Sequence, residues 1–310
     1  MSFATLLNTS RLPEKPWTTG AVVRLGVCVI IGMMMGAVAG TIVRYFETPQ
    51  NSSVIAFLAL AAAAFASYVG ALVMLARPWP LEDRYLGKLI GLLTLIYAGI
   101  LFTWLSSKLI KGDAEVKNPI SVLLLSLAFF QGLALVMVHF FLREHGTGWR
   151  EGFGLGIRPW HALLIGICAG ALVLYPVLGL NGFFFHLFDK LSLHPHEQQQ
   201  VEILRHADSL LARVALGFGT VFIAPVAEEV IFRGILYPVI KRRFSQQIAL
   251  WGTACLFGAI HLNLAGFVPL MLLAVILAML YEYTGNLLAP IAVHCVFNAA
   301  NFVALYMQQN

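Results

Sequence analysis

The sequence predicts an all-α protein whose helices cross a lipid bilayer. Its mean hydropathy is +0.82, and 59% of its 310 residues are hydrophobic while only 11% are charged. A soluble domain of this size with this composition would expose too many apolar side chains to water. The predicted fold class is therefore a polytopic transmembrane helical bundle, and the polar residues described below predict a polar cavity in its C-terminal half.

Nine stretches are long and apolar enough to cross about 30 Å of hydrocarbon. They are residues 21–46, 54–76, 86–107, 119–142, 160–187, 209–240, 247–263, 266–284 and 287–307. Lys88 lies near the start of the third stretch, and the sixth is long for one straight crossing, so eight or ten spans also fit the sequence. No small-residue cleavage pattern precedes the first span, and we therefore expect no cleaved signal peptide.

Basic residues concentrate in alternate loops. They are Arg11 and Lys15, then Arg77, Arg84 and Lys88, then Arg143, Arg150 and Arg158, and finally Lys241, Arg242 and Arg243. The positive-inside rule makes these loops cytoplasmic, although Lys108, Lys111 and Lys117 blur the pattern. We expect a multi-pass protein of a bacterial inner membrane with a cytoplasmic N-terminus. The net charge of +5 is modest and dispersed, so no nucleic-acid partner is predicted.

Neither the cysteines nor the longest polar loop has the pattern of a metal site. Cys28, Cys168, Cys255 and Cys295 all fall in predicted spans and none forms a C-x-x-C pair, so they are expected to pack as small apolar residues. Residues 189–208 contain three histidines, but no histidine follows His196-Glu197 at the spacing of an H-E-x-x-H site. A solvated external loop is the favoured interpretation.

Polar residues at membrane depth divide the chain in two. Residues 1–148 contain four spans with almost no such residue, and we interpret them as an accessory membrane region. Residues 149–310 contain every candidate for chemistry and are predicted to form the working core. The segment 149–160 mixes basic, aromatic and glycine residues and is typical of a membrane interface. Gly166 and Gly170, four residues apart, predict close helix packing.

Two adjacent glutamates, Glu228 and Glu229, interrupt the apolar sixth span. An ionised carboxylate at membrane depth costs at least ~2.5–3.5 kcal/mol, so such a charge is usually retained for a function. Residues four apart share a helix face, so Glu229 can pair with Arg233, while Glu228 points about 100° away and is left free. Pro225 is expected to loosen the helix and free backbone carbonyls.

Two further polar motifs lie in later spans. Phe257 and His261 are one turn apart near the outer end of the seventh span, and His294 and Asn298 share a face of the ninth. A single intramembrane histidine is often a packing residue, and a Glu–Arg pair can simply join two helices. Three polar motifs within about 70 residues favour a shared site.

In these residues the chain resembles the CPBP family of intramembrane proteases, which includes CAAX prenyl endopeptidases and bacterial bacteriocin-processing or immunity (Abi) proteins. The matching motifs are Glu228-Glu229-x-x-x-Arg233, Phe257-x-x-x-His261 and His294-x-x-x-Asn298. The similarity extends over roughly residues 150–307 and leaves the first four spans unexplained. It implies a peptide hydrolase that acts on a peptide or a membrane protein.

The resemblance also implies a role for each residue. Glu228 and His261 would hold and deprotonate a water molecule, and His294 and Asn298 would donate hydrogen bonds to the oxyanion. Glu229, Arg233 and Phe257 would support them. No cofactor is expected; if a metal takes part, zinc bound by Glu228, His261 and His294 is the candidate. We favour a metal-free mechanism because asparagine is a poor zinc ligand.

Two other classes of function stay open. In a proton-coupled transporter the same carboxylates and histidines would form a relay, although no inverted repeat relates the two halves. In a catalytically inactive immunity or scaffold protein, the same cavity would bind a peptide. The sequence does not separate a prenylated CAAX peptide from a leader peptide as substrate, and it does not determine the oligomeric state.

Overall fold

The structure is a computed structural model that describes residues 12–47, 53–76, 85–110, 124–125, 127–191 and 210–307, together with residue 121. Within these ranges the chain forms helices and connecting turns, without a strand. It divides into two compact units. The first unit, as named below, consists of Gly20–Phe141. The second unit consists of Met1–Thr19 together with Leu142–Asn310. The predicted boundary at residue 148 stays a prediction.

The first unit is built from long apolar helices. They are α1 (Thr19–Glu47), α2 (Val54–Leu75), α3 (Tyr85–Lys108), and a π-helix, π1 (Ala128–Gly132), which continues into α4 (Leu133–Glu144). Tyr45 stacks on Phe57 with ring centroids 3.7 Å apart. Gly32 allows α1 to approach π1, because a Cβ there would lie 2.8 Å from the Phe129 carbonyl oxygen.

The second unit contains all the candidate site residues. Its elements are α5 (Trp149–Gly152), α6 (Pro159–Lys190), α7 (Leu210–Phe218), π2 (Gly219–Ile223), α8 (Ala224–Glu229), π3 (Val230–Leu236), α9 (Tyr237–Arg243), α10 (Gln246–Ile260), α11 (Leu264–Thr284) and α12 (Leu288–Met307). The five elements from α7 to α9 form one continuous apolar stretch, Leu210–Arg243. Two π-helical segments therefore flank the short α8 that carries both glutamates.

Seven helices in the described residues are long and apolar enough to cross a membrane. They confirm the predicted polytopic helical bundle, and their number roughly matches the nine predicted spans. The predicted span 247–263 corresponds to α10, which has 15 residues. The predicted span 119–142 contains π1 and most of α4, and part of it lies outside the described residues. Residues 192–209, which include most of the polar loop, also lie outside the described residues.

Helices α6 and α12 pack closely because two glycines of α6 lie at the contact. A Cβ on Gly166 would lie 2.4 Å from the Ala289 carbonyl oxygen and 2.6 Å from the Ala292 Cβ. A Cβ on Gly170 would lie 2.9 Å from the Val296 Cβ. The close packing predicted from the Gly-x-x-x-Gly spacing is confirmed, and it fixes α12, which carries His294.

The segment between α5 and α6 holds the beginning of α12 in place. The Leu287 amide donates to the Phe153 carbonyl at 3.1 Å, and the Asn286 side-chain amide donates to the Ile157 carbonyl at 2.7 Å. Phe153 and Asn286 are both fully buried. The predicted interfacial segment thus contributes buried contacts to the second unit.

We predict that Gly166→Val lowers the stability of the protein, because the added side chain would overlap α12. Overpacking of this kind costs about 1–3 kcal/mol. Gly179→Val is the matched control on α6, since a Cβ at Gly179 meets no atom of the described residues within 4 Å. The melting temperature of each purified variant in detergent measures the effect. Equal melting temperatures for the two variants would contradict the prediction.

Candidate active site

The site is organised around the carboxylate of Glu229, which is fully buried. Its Oε1 atom lies 2.6 Å from Nη1 of Arg233 and 2.9 Å from Nδ1 of His294. The predicted ion pair between Glu229 and Arg233 is confirmed. The hydrogen bond from His294 is an addition that the sequence did not predict, and it joins α12 to α8.

Arg233 lies in π3 and is itself buried. Besides Glu229, its guanidinium donates from Nη2 to the Ala274 carbonyl of α11 at 3.2 Å, and it lies 4.7 Å from the ring centroid of Phe257 in α10. A carboxylate, a carbonyl and an aromatic face together compensate the burial of this cation. One side chain thereby ties π3 to three other elements of the unit.

The imidazole of His294 lies between the two glutamates. Its Nδ1 atom faces Glu229, and its Nε2 atom is 3.8 Å from Oε2 of Glu228. A carboxylate only accepts hydrogen bonds, so Nδ1 is the nitrogen that carries a proton and donates to Glu229. The Glu228 side chain is 16% exposed, and its Oε2 accepts no hydrogen bond from the described part of the chain. Glu228 is thus the less constrained of the two carboxylates.

His261 caps the C-terminal end of α10. Its Nδ1 atom is 2.7 Å from the Phe257 carbonyl oxygen; since a carbonyl only accepts, Nδ1 carries the proton and Nε2 of the neutral ring can accept. The Phe257 ring lies 4.8 Å from the ring of His261 and 5.8 Å from that of His294. Phe257 therefore connects the two histidines. Direct contact of His261 with Glu228 stays a prediction.

Asn298 lies one turn after His294 and donates from Nδ2 to the Thr220 carbonyl at 2.9 Å. In π2, the Ala224 amide donates to the carbonyl five residues earlier, that of Gly219. The next donor in this register would be residue 225, which is a proline and has no N–H. Pro225 therefore cannot donate to the Thr220 carbonyl, and Asn298 does so.

The described residues do not gather a three-ligand set for zinc. No group of three His, Cys, Asp or Glu side chains among them is arranged to hold a metal ion. In the candidate set, His294 directs Nδ1 to Glu229, and His261 directs Nδ1 to the Phe257 carbonyl. The metal-free mechanism stays a prediction.

The sequence pointed to Glu229, Arg233, His294 and Asn298 but not to several of their partners. The His294–Glu229 hydrogen bond joins residues 65 positions apart, and no local pattern indicates it. The carbonyls of Ala274 and Thr220 are backbone groups without a sequence signature of their own. Only Pro225, five residues after Thr220, gives a signal that a carbonyl there needs another donor.

A helical bundle with a buried Glu–Arg–His network defines this chain as a multi-pass integral membrane protein with an intramembrane polar site. Residues 210–300 match the family model for type II CAAX prenyl endopeptidases, Rce1-like. The chain thus carries an Rce1-like domain, consistent with the CPBP family of intramembrane proteases. The match includes all seven candidate site residues. It is shorter than the stretch over which the sequence analysis predicted similarity, residues 150–307.

A curated relative shares part of this domain. The uncharacterized protein YpbD of Bacillus subtilis (strain 168) is 33% identical over 86 residues, which are 26% of this chain and 41% of that protein. The chain thus covers about two fifths of the relative's length. No solved structure matches the chain.

We predict that Glu229→Ala destabilises the protein far more than Glu228→Ala. Removing Glu229 leaves the buried Arg233 without its counter-charge, and breaking a buried pair costs about 3–5 kcal/mol. Glu228 is the matched control because it is the adjacent glutamate and is partly exposed. Thermal unfolding of the purified variants in detergent tests this. A melting temperature that falls equally in both would show that Glu229 does not organise the site.

Proposed function

We propose that the protein is an intramembrane endopeptidase that hydrolyses a peptide bond near the membrane interface. The observation that carries the proposal is the series Arg233, Glu229, His294 and Glu228, in which each side chain contacts the next and the first three are buried. This series lies inside the Rce1-like domain. It leaves one carboxylate, that of Glu228, less constrained than the other and beside a histidine whose orientation is fixed.

Glu228 is suited to act as the general base. Its Oε2 atom, which accepts no hydrogen bond from the described residues, can accept a proton from a water molecule. His261 is suited to orient the same water. Its Nδ1–H is directed to the Phe257 carbonyl, so Nε2 can accept the second hydrogen of the water.

His294 and Asn298 are suited to stabilise the oxyanion. Glu229 fixes the orientation of the His294 ring through Nδ1, and Nε2 of the doubly protonated ring can donate to the oxyanion. The amide of Asn298 has two N–H groups, and one of them donates to the Thr220 carbonyl. The other can donate to the developing oxyanion.

The proposed reaction balances without a cofactor. Water attacks the carbonyl carbon of the scissile bond as Glu228 takes one of its protons, and the carbonyl oxygen becomes the oxyanion. The tetrahedral intermediate then collapses, the C–N bond breaks, and the proton held by Glu228 passes to the leaving amine. The products are a carboxylic acid and an amine, and Glu228 is again ionised.

The proposed substrate is a membrane-bound peptide or a membrane protein, since the site lies among apolar helices. A prenylated CAAX peptide follows from the description of the matching family, and a leader peptide is the alternative. We further propose that the protein resides in a bacterial inner membrane with a cytoplasmic N-terminus, because the basic loops follow the positive-inside rule.

We predict that Glu228→Gln abolishes proteolysis while leaving the fold intact, since glutamine keeps the shape of glutamate but cannot accept the proton. Membrane proteins from cells that produce the wild type or the variant are compared by sequencing of newly formed N-termini. Termini that require Glu228 identify the substrate.

The same comparison separates the alternatives. If the two cell lines have the same set of termini, the endopeptidase proposal is wrong. A peptide that still binds both forms would then point to a scaffold, and a proton flux lost in Glu228→Gln would point to a transporter.

We predict that a chelator leaves the activity unchanged, because the proposed mechanism uses no metal. Purified active protein is incubated with EDTA and with 1,10-phenanthroline, the metal content is measured, and cleavage of a farnesylated CAAX peptide is followed. One zinc ion per chain, with activity lost on its removal and regained on its return, would contradict the metal-free mechanism.

A further inference from the structure

Trp17 lies before the first helix and yet is a core residue of the second unit, where it is fully buried. Its indole N–H donates to the Gly234 carbonyl at 2.9 Å, across 217 positions of the chain. Gly234 lies in π3, directly after Arg233. A residue far outside the matching domain therefore bonds to the backbone of the segment that holds the site together.

The Gly234 carbonyl lies where the helix changes register. The Tyr237 amide donates five residues back, to the Phe232 carbonyl, and α9 begins at Tyr237. The next residue, Pro238, has no amide, so it donates neither to the Arg233 carbonyl five residues earlier nor to the Gly234 carbonyl four residues earlier. The indole of Trp17 donates to the Gly234 carbonyl.

The surroundings of Gly234 show that this contact is closely packed. A Cβ at Gly234 would lie 2.6 Å from the ring of Phe153, so glycine lets the ring approach the helix. Trp17 and Phe153 pack with ring centroids 6.4 Å apart, and His145 meets Trp17 edge-on at 5.3 Å. The indole therefore lies in a fixed aromatic cluster.

A second contact joins residues 15–17 to α9, the helix that continues π3. Arg242, two turns beyond Gly234, donates from Nη1 to the Lys15 carbonyl at 3.1 Å and from Nη2 to the Trp17 carbonyl. Lys15 is also buried, and this burial lowers the pKa of its side chain to about 8. Residues 15–17 thus contact π3 and α9 at two points.

These contacts lead directly to the candidate active site. Gly234 and Arg233 are neighbours in π3, and Arg233 donates to Glu229, which in turn accepts from His294. A shift of the π3 backbone would move the guanidinium of Arg233 and, through Glu229, the imidazole of His294. The Trp17–Gly234 bond fixes the backbone at the position next to that guanidinium.

We propose that Trp17 is a positioning residue for the catalytic site, which donates to the Gly234 carbonyl and so fixes the π3 turn that directs Arg233 toward Glu229. The proposal rests on the proposed endopeptidase function for its kinetic consequence. It makes the segment before the first helix a working part of the hydrolase unit.

The test removes the N–H group. Trp17→Phe keeps an aromatic ring but loses the hydrogen bond to Gly234. Trp160→Phe is the matched control, because Trp160 is 78% exposed. Each variant is purified in detergent and assayed with a farnesylated CAAX peptide.

We expect kcat of Trp17→Phe to fall by roughly 10- to 100-fold with little change in KM, because small misplacements of catalytic groups slow the reaction by such factors. Trp160→Phe should match the wild type. Wild-type kcat in Trp17→Phe would overturn the proposal.

A second measurement does not depend on activity. Hydrogen exchange of residues 230–243, followed by mass spectrometry, should be faster in Trp17→Phe than in the wild type and in Trp160→Phe. If the wild type does not cleave the farnesylated CAAX peptide, the proposed function fails for that substrate. Hydrogen exchange still tests the role of Trp17 in that case. Unchanged exchange in Trp17→Phe would overturn that role.

Discussion

The carboxylate of Glu229 is the group on which the rest of the second unit depends. It is fully buried, and its Oε1 atom accepts from Arg233 and from His294. An uncompensated charge at such a position would be prohibitively costly, so the three side chains must be assembled together. Because they come from α8, π3 and α12, this requirement fixes how those elements pack, and it leaves Glu228 as the partly exposed partner of the same histidine.

The helix that carries the glutamates is irregular on both sides of them, and its irregularity creates the contacts of the site. The π-helical segments π2 and π3 flank α8, and a proline follows each of them within two residues, Pro225 and Pro238. Each proline withdraws a backbone donor. Asn298 donates to the carbonyl exposed at the first and Trp17 to the carbonyl near the second. Backbone groups that a regular helix would satisfy internally are thus used to join separate parts of the chain.

Hydrophobic content and span length predicted the all-α membrane bundle, because apolar stretches of about 20 residues have few alternatives to transmembrane helices. Helical periodicity also predicted the Glu229–Arg233 pair, since residues four apart share a face, and the Gly166 and Gly170 spacing predicted the packing of α6. These are local relationships. The span count agrees less closely because α10 has only 15 residues, and hydropathy does not report where a helix ends.

The sequence by itself determined the fold class, the residues of the polar motifs and the resemblance that groups them. Only the tertiary structure decided that His294 binds Glu229 and also faces Glu228, that Asn298 caps the Thr220 carbonyl, and that Trp17 reaches Gly234. The reason is physical: a helix pattern specifies which side chains share a face, whereas contacts between residues 65 or 217 positions apart depend on how helices pack and which carbonyls they leave unpaired.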